Sequence, residues 1–217
     1  MPKNSTDIKN LFNEIASIYD ATNNVISCGT HKIIKKLAIN SYNFQGNVLD
    51  LCTGTGDIAN LLKNKCNVIG LDFSQKMIAI AKEKYPDIKF LEGDCTNLPF
   101  KDNSFDAITI SFGLRNIPDK NLALKEIYRV LKPKGILFHL DFDKSNTLTN
   151  FIFDNLVKLS TKLICKNNSP YIYLINSKKT FLNKNDLIKL FGNFKFKTIK
   201  NKNFMMGIIS LLICEKI

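Results

Sequence analysis

The residues best suited to chemistry stand at the ends of short apolar runs. Val48-Leu49-Asp50-Leu51 breaks into Cys52-Thr53-Gly54-Thr55-Gly56-Asp57, and apolar residues return at helical spacing at Ile58, Ala59, Leu61 and Leu62. That order reads as a buried strand, a tight turn and a helix start. Two glycines remove Cβ atoms where a ligand must approach the backbone, and the helix start offers unpaired N–H groups. Asp72 ends the next apolar run. It stands about 20 residues beyond the turn, where a first α/β unit sets a carboxylate against a ribose. Two chemistries share this pattern. Gly54-x-Gly56-x-x-Ala59 fits a dinucleotide fingerprint, and Asp50 before a Gly-x-Gly turn fits the nucleoside pocket of S-adenosylmethionine-dependent enzymes. A Gly-x-Gly turn alone is also an ordinary tight turn, so the rest of the chain must decide.

The elements that position these residues alternate. Strands are expected at Asn47–Leu51, Asn67–Leu71, Ile88–Glu92, Ala107–Ser111 and Ile136–Phe142. Helices are expected near Asp57–Lys63, Gln75–Lys84 and Lys120–Leu131. Such alternation means βαβ units and a doubly wound, mostly parallel α/β sheet. Asp50, Asp72, Asp94 and Ser111 then each stand at the carboxyl end of a strand, where such sheets bind ligands. Before the first strand, Ser5–Tyr19 has apolar residues at helical spacing, Tyr19–Asn23 reads as a polar break, and Lys32–Ala38 as a basic helix. Together they make an N-terminal helical cap over residues 1–44, with the core at 45–217, in one domain of 1–217. Beyond Asp143 the pattern changes. A helix is expected at Thr147–Cys165, a loop at Lys166–Pro170 and a short aromatic run at Tyr171–Leu174. A helix opening at an Asn183 cap follows, then an antiparallel closing hairpin from Phe194–Lys200 and Phe204–Cys214.

Composition narrows the class. The 217 residues suit one α/β domain, and 45% apolar content allows a core. The net charge of +12 favours an anionic partner, nucleic acid or an acidic membrane, against a background of solvated lysines. The basic residues are spread out, not gathered in an Arg-rich, aromatic-interleaved stripe, which argues against nucleic acid. Six cysteines include no Cys-x-x-Cys pair, so reduced, buried thiols are expected and no metal. The polar start lacks a signal-peptide apolar region, and the longest apolar run, Phe204–Cys214, is too short for a bilayer. A bacterial cytoplasmic, membrane-associated protein or one made inside a plastid fits both features.

Three further blocks resemble the menaquinone and ubiquinone C-methyltransferases, class I S-adenosylmethionine-dependent enzymes. They are Tyr19-Asp20-x-x-Asn23 with Ser27-x-Gly29-x-His31-Lys32; Gly113-Leu114-Arg115-Asn116 with Ala123-Leu124-x-Glu126 and Arg129–Pro133; and Tyr171-x-Tyr173-Leu174-x-x-Ser177. With the glycine turn they cover nearly the whole chain. Leu71-Asp72-Phe73-Ser74, Leu140-Asp141-Phe142, Asn146 and Met205-Met206-Gly207 are similar to the phylloquinone branch, which methylates reduced 2-phytyl-1,4-naphthoquinone. The sequence departs from the family where an aromatic usually follows the His-basic pair, since Ile33 and Ile34 stand there.

The resemblance implies a Rossmann-like methyltransferase sheet and the roles of single residues. Thr55 and the backbone at Gly54 and Gly56 would hold the methionine end of S-adenosylmethionine. Asp72 would take the ribose hydroxyls, Asp94 and Cys95 would border the adenine, and Ser111 would lie near the methionyl portion. Asp50 would orient the turn or touch the sulfonium side. Methyl transfer to a ring carbon needs alignment and exclusion of water, and an acceptor made electron-rich by loss of a quinol proton. His31, Asp20 and Tyr19 are the candidate bases or acceptors, with Arg115 placed to stabilise a quinolate. His139, inside an apolar strand, reads as core. A lipid quinol is the implied partner, and Ser5–Tyr19 with Lys32–Lys36 would lie on an anionic membrane, unless Ser5–Tyr19 packs on the sheet edge. Oligomeric state is open.

Rival readings are a methyltransferase for another lipid phenol, a nucleic-acid methyltransferase, a nicotinamide oxidoreductase and a non-catalytic binding module. Base methylation usually wants an Asn/Asp-Pro-Pro-aromatic loop after the fourth strand. Ser111-Phe112-Gly113-Leu114 stands there instead.

Overall fold

The computed structural model describes residues 5–27, 29–143, 155, 177–178 and 180–217. The cap consists of α1 (Ser5–Ile15), a 3-10 turn at Ala16–Ile18, α2 (Tyr19–Ile26) and α3 (Thr30–Ile39). The core follows as β1 (Asn47–Leu51), α4 (Asp57–Leu62), β2 (Asn67–Asp72), α5 (Gln75–Lys84), β3 (Lys89–Glu92), β4 (Phe105–Ser111), α6 (Lys120–Val130) and β5 (Leu131–Phe142). The described part ends with α7 (Lys184–Asn193), β6 (Phe196–Phe204) and β7 (Ile209–Lys216).

Seven strands form one sheet in the order β3-β2-β1-β4-β5-β7-β6. β1 pairs in parallel with β2 and β4, and β4 with β5, while β7 runs antiparallel to both β5 and β6. The apolar strands are continuous because both faces are covered. Successive residues of one strand serve opposite layers. Leu49, Leu137 and Leu212 pack with Leu124, Ile127, Leu187 and Phe191 of α6 and α7. Val48, Phe138, Leu211 and Ile213 pack with Ile34 and Ala38 of α3 and Ile58 and Leu62 of α4. Helix starts carry their own caps: Ser74 Oγ accepts from Met77 N at 3.3 Å, Asp119 from Leu122 N at 2.9 Å and Asn183 from Asp186 N at 3.0 Å.

Two expectations change. The polar stretch at Tyr19–Asn23 is helical, forming the first turns of α2. Its poor helix formers are held from outside. Thr22 is buried with its hydroxyl on Ile18 O at 2.8 Å, and Asp20 is fixed to the core by Thr55 and Lys84. The α1 segment does pack on the core: Ile15 and Ala16 bury against Met77 of α5, and Asn13 Oδ1 accepts from Ser74 Oγ at 2.7 Å. Ile8 and Ile15 of its apolar face are thus buried in the protein, while Ile18 is 44% exposed. The expected helix Thr147–Cys165, the loop Lys166–Pro170 and the run Tyr171–Leu174 lie outside the described residues, Asn155 apart, as do Cys28 and Asn146.

Asp50 is part of the core. It accepts from Thr53 Oγ1 and Thr109 Oγ1, each at 2.6 Å, and so ties the glycine turn to the β1–β4 pair. Burial pushes its carboxyl up to about 6, against the two hydroxyl donors that hold it down. Thr109→Val keeps the shape and removes one donor. It should lower stability by about 1–3 kcal/mol at pH 7 in urea unfolding. The loss should shrink at pH 5, where a carboxyl titrating near 6 is protonated and needs less help.

Candidate active site

A pocket opens over the carboxyl ends of β1 to β4, where doubly wound sheets bind their ligands. Asp72, at the end of β2, forms its floor. Asp72 Oδ2 accepts from Gly54 N at 2.9 Å and Oδ1 from Ser74 N at 2.9 Å. One carboxylate thus fixes the turn after β1 and the turn after β2. Burial raises its pKa to about 6, with backbone donors from Ser74, Gly54 and Phe73 opposing the rise. Asp72 is therefore ionised at pH 7, and its remaining lone pairs can accept ligand hydroxyls.

The walls come from three further turns. Gly54 has a φ of +56°, and a Cβ built on it would meet nothing within 4 Å, so its bare backbone is open to a ligand. Asp94, Cys95 and Thr96 line the pocket after β3, with Asp94 Oδ1 accepting from Thr96 N at 2.9 Å. Ser111, Phe112 and Gly113 line it after β4. Ser111 Oγ is buried and has no hydrogen-bond partner among the described residues, the condition of a polar atom that a ligand satisfies. Cys52 lies against Cys95, which with burial holds its thiol well above the ordinary range, so it is a neutral wall residue. Phe12 of α1 and Tyr19 of α2 close the remaining side.

The expected residues divide among several places. Gly54, Asp72, Asp94, Cys95, Ser111 and Tyr19 line this pocket. Asp50 lies behind the turn and orients it, and Gly56 packs against Phe90 and Tyr85, 2.8 and 3.0 Å from where a Cβ would stand. Thr55 turns its hydroxyl away to Asp20 Oδ1 at 2.7 Å, so it ties the cap to the turn. Asp20 and His31 line a second cleft with Lys35, Asp57 and Lys84, which shares no residue with the first. His31 Nδ1 meets Ser27 Oγ at 2.6 Å, and burial followed by Lys35 lowers its pKa to about 4, so the ring is neutral at pH 7. Arg115 points into the core. Its Nη1 bonds the buried Asp141 Oδ1, and its guanidinium lies 5.1 Å from the Phe142 ring centre and 6.0 Å from that of Phe112. His139 is fully buried beside Phe191, and burial holds it near 4, so its 4.0 Å approach to Asp141 joins a neutral ring to a carboxylate.

Sequence reasoning missed Phe12, Phe73 and Thr96, and the contribution of Asn116, Ile117 and Pro118 to the wall. Phe12 was visible only as one apolar position on a helix. Phe73 adjoins Asp72, and Asn116 ends the Gly113–Asn116 block; both proximities were available signals.

A seven-stranded sheet with one reversed strand, carrying a glycine turn and an acidic floor at the ends of its first strands, is the fold of class I S-adenosylmethionine-dependent methyltransferases. Solved structures have the same fold. An S-adenosylmethionine-dependent methyltransferase of Thermotoga maritima superposes with a TM-score of 0.72 at 21% identity, covering 97% of this chain and 100% of that one. One of Aquifex aeolicus gives 0.63 at 17% identity, covering 84% and 89%. The ubiE/COQ5 methyltransferase family model matches residues 1–216. The demethylmenaquinone methyltransferase of Lactobacillus johnsonii is 38% identical, over 97% of this chain and 93% of that protein. The ubiquinone/menaquinone biosynthesis C-methyltransferase UbiE of Rickettsia prowazekii is 35% identical, over 97% and 92%. The chain belongs to the ubiE/COQ5 methyltransferase family. It is therefore a methyltransferase.

If the ionised Asp72 holds the donor's ribose, affinity must follow its titration. Below a pKa of about 6 the carboxyl gains a proton and loses acceptor strength, so the Kd for S-adenosylmethionine should rise about tenfold from pH 7 to pH 5. Calorimetric titration across that range checks it. Asp72→Asn should bind more weakly at pH 7 and with a flattened pH profile.

Proposed function

We propose that the chain methylates a ring carbon of a reduced, prenylated naphthoquinone and, more narrowly, of the phytyl-tailed demethylphylloquinol. The observation that carries the ring is the pairing of walls within one pocket. Acidic and backbone groups stand at Asp72, Gly54 and Asp94, and aromatic and apolar ones at Phe12, Tyr19, Phe112, Ile117 and Pro118. The polar side suits a nucleoside and the apolar side a flat ring with a hydrocarbon tail. The names of the bacterial relatives support a demethylated quinone acceptor. The phytyl tail rests on the branch resemblance at Leu71–Ser74 and Met205–Gly207, and it would place the chain in a plastid or a cyanobacterium-like cell.

The bound donor supplies a methyl group already activated by its sulfonium charge. The chain's own contribution is alignment and dryness. Gly54 lends open backbone to the methionine end, Asp72 the ribose acceptor, Asp94 and Cys95 the adenine border, and Ser111 a hydroxyl near the methionyl portion. Phe12 and Phe112 exclude water. Among Tyr19, Asp20, His31 and Arg115, Tyr19 alone lines the pocket, so its hydroxyl is the group assigned to hold the quinol oxygen. Arg115 acts through the loop it braces from behind.

The test is methyl transfer from labelled S-adenosylmethionine to reduced demethylated naphthoquinols with phytyl or polyprenyl tails, beside benzoquinol precursors. Label should enter the naphthoquinols, most efficiently the phytyl form. Label in none of them would refute the acceptor class, and preference for a polyprenyl tail would refute the narrower assignment. Tyr19→Phe should lower kcat/KM for the quinol by up to about tenfold, the worth of one hydrogen bond, with donor affinity unchanged. His31→Ala, in the other cleft, should leave kcat within about twofold.

A further inference from the structure

The cap and the closing hairpin expose apolar side chains in an unusually acid-free part of the chain. No Asp or Glu occurs from Ala21 to Leu49 or from Leu187 to Cys214. The two stretches meet on one face of the sheet. Ile34, Ala38 and Ile39 of α3 share a core cluster with Phe204, Ile208 and Ile209 of the β6–β7 hairpin, and Lys200 Nζ donates to Ser41 O at 2.9 Å, just past the end of α3.

The outer face of α3 is spaced for a surface. Ile34 and Ala38 point inward, while Lys32, Ile33, Lys36 and Leu37 point out. Ile33 is 60% and Leu37 50% exposed, two large aliphatic residues one turn apart between two lysines. At the hairpin turn Met206 is 84% exposed, with Met205 and Met206 both at positive φ. Asn or Gly would adopt that turn with less strain, so a flexible apolar side chain is held outward where turn chemistry does not ask for one. Lys200 and Lys202 are exposed beside it on β6.

We propose that this face, the outer side of α3 together with the Met205–Met206 turn and the lysines of β6, docks on an anionic lipid bilayer. Aliphatic residues ringed by lysines match the interfacial zone, where side chains enter the acyl boundary and ammonium groups meet lipid phosphates. A second copy of the chain does not fit, because a face without carboxylates repels itself. Nucleic acid fits less well, because the exposed residues are Ile, Leu and Met, not stacking aromatics or arginines. The inference rests on the proposed function for its purpose, since a lipid-soluble acceptor has to be reached from a membrane. Its observations are independent of that reading.

The test is co-sedimentation with phosphatidylcholine vesicles with and without phosphatidylglycerol, in the absence of donor and quinol. The wild type should bind the anionic vesicles and release from them in high salt. Lys32→Gln with Lys36→Gln should weaken binding roughly 25-fold, about fivefold per lysine. Ile33→Ser with Leu37→Ser should weaken it at least about tenfold. Both should bind S-adenosylmethionine as the wild type does, which shows that they fold. A charge control on the other face of the sheet, Lys125→Gln with Lys189→Gln, should bind normally. Equal loss in the control, equal binding to neutral vesicles, or tighter binding to an RNA oligomer that the α3 variants abolish would overturn the proposal. Methyl transfer to a short-tailed, water-soluble quinol is scored separately. Vesicle binding without transfer would fault the acceptor assignment alone, and transfer with unaltered vesicle binding in the variants would fault the docking face alone.

Discussion

The Asp72 carboxylate is gripped by the backbone of two turns, and the pocket exists because of that grip. A buried carboxylate is costly to keep ionised, by several kcal/mol in an apolar setting. Backbone N–H groups of Gly54 and Ser74 offset that cost, and they are positioned only when β1 and β2 lie in parallel register with Leu51 opposite Leu71. Ser74 then caps α5 and receives Asn13 from α1 by way of its hydroxyl. Sheet register, glycine turn, helix start and cap docking are thus linked through a few polar atoms. Asp50 does the same work one layer behind, joining the turn to β4 through Thr53 and Thr109.

The cap divides the molecule's polar residues into two clefts. Asp20 bonds Thr55 and Lys84, and Lys84 with Lys35 holds Asp57, so the acidic residues of α2 and α4 are neutralised behind the glycine turn. Partly exposed pairs of this kind add little stability each. Their use is geometric: they fix α2 so that Tyr19, the neighbour of Asp20, faces the pocket. Arg115 and Asp141 work similarly on the opposite wall, where the guanidinium lies near Phe112, itself at a φ of +56°. Chemistry-bearing residue types near the site therefore serve mainly as struts.

Much of this was legible in the sequence, for identifiable reasons. The strands and the helices α4 to α7 announce themselves because both sheet faces are buried, α5 to α7 start at side-chain caps and α4 starts at the left-handed Gly56. The acidic strand ends were legible because βαβ topology places every such end on one side. The cap was harder. Tyr19–Asn23 is poor helix sequence that becomes helical through tertiary hydrogen bonds to Thr55 and Lys84, and no local propensity encodes those. The direction of Thr55, Arg115 and His31 was equally hidden, because residue type and spacing say which atoms are available and not which neighbour takes them. The acid-free stretches were visible in the sequence, but only the fold brings them to one face.

The central claim is that the donor binds over Asp72 between the turns after β1 and β4. Backbone hydrogen exchange with and without saturating S-adenosylmethionine tests it residue by residue. The amides of Gly54, Phe73, Cys95, Thr96 and Phe112 should slow on binding, while those of Lys32 to Lys36 and Asn60 and Leu61 stay as they were. Protection concentrated around the His31–Lys84 cleft, with the Asp72 turns unchanged, would contradict the account.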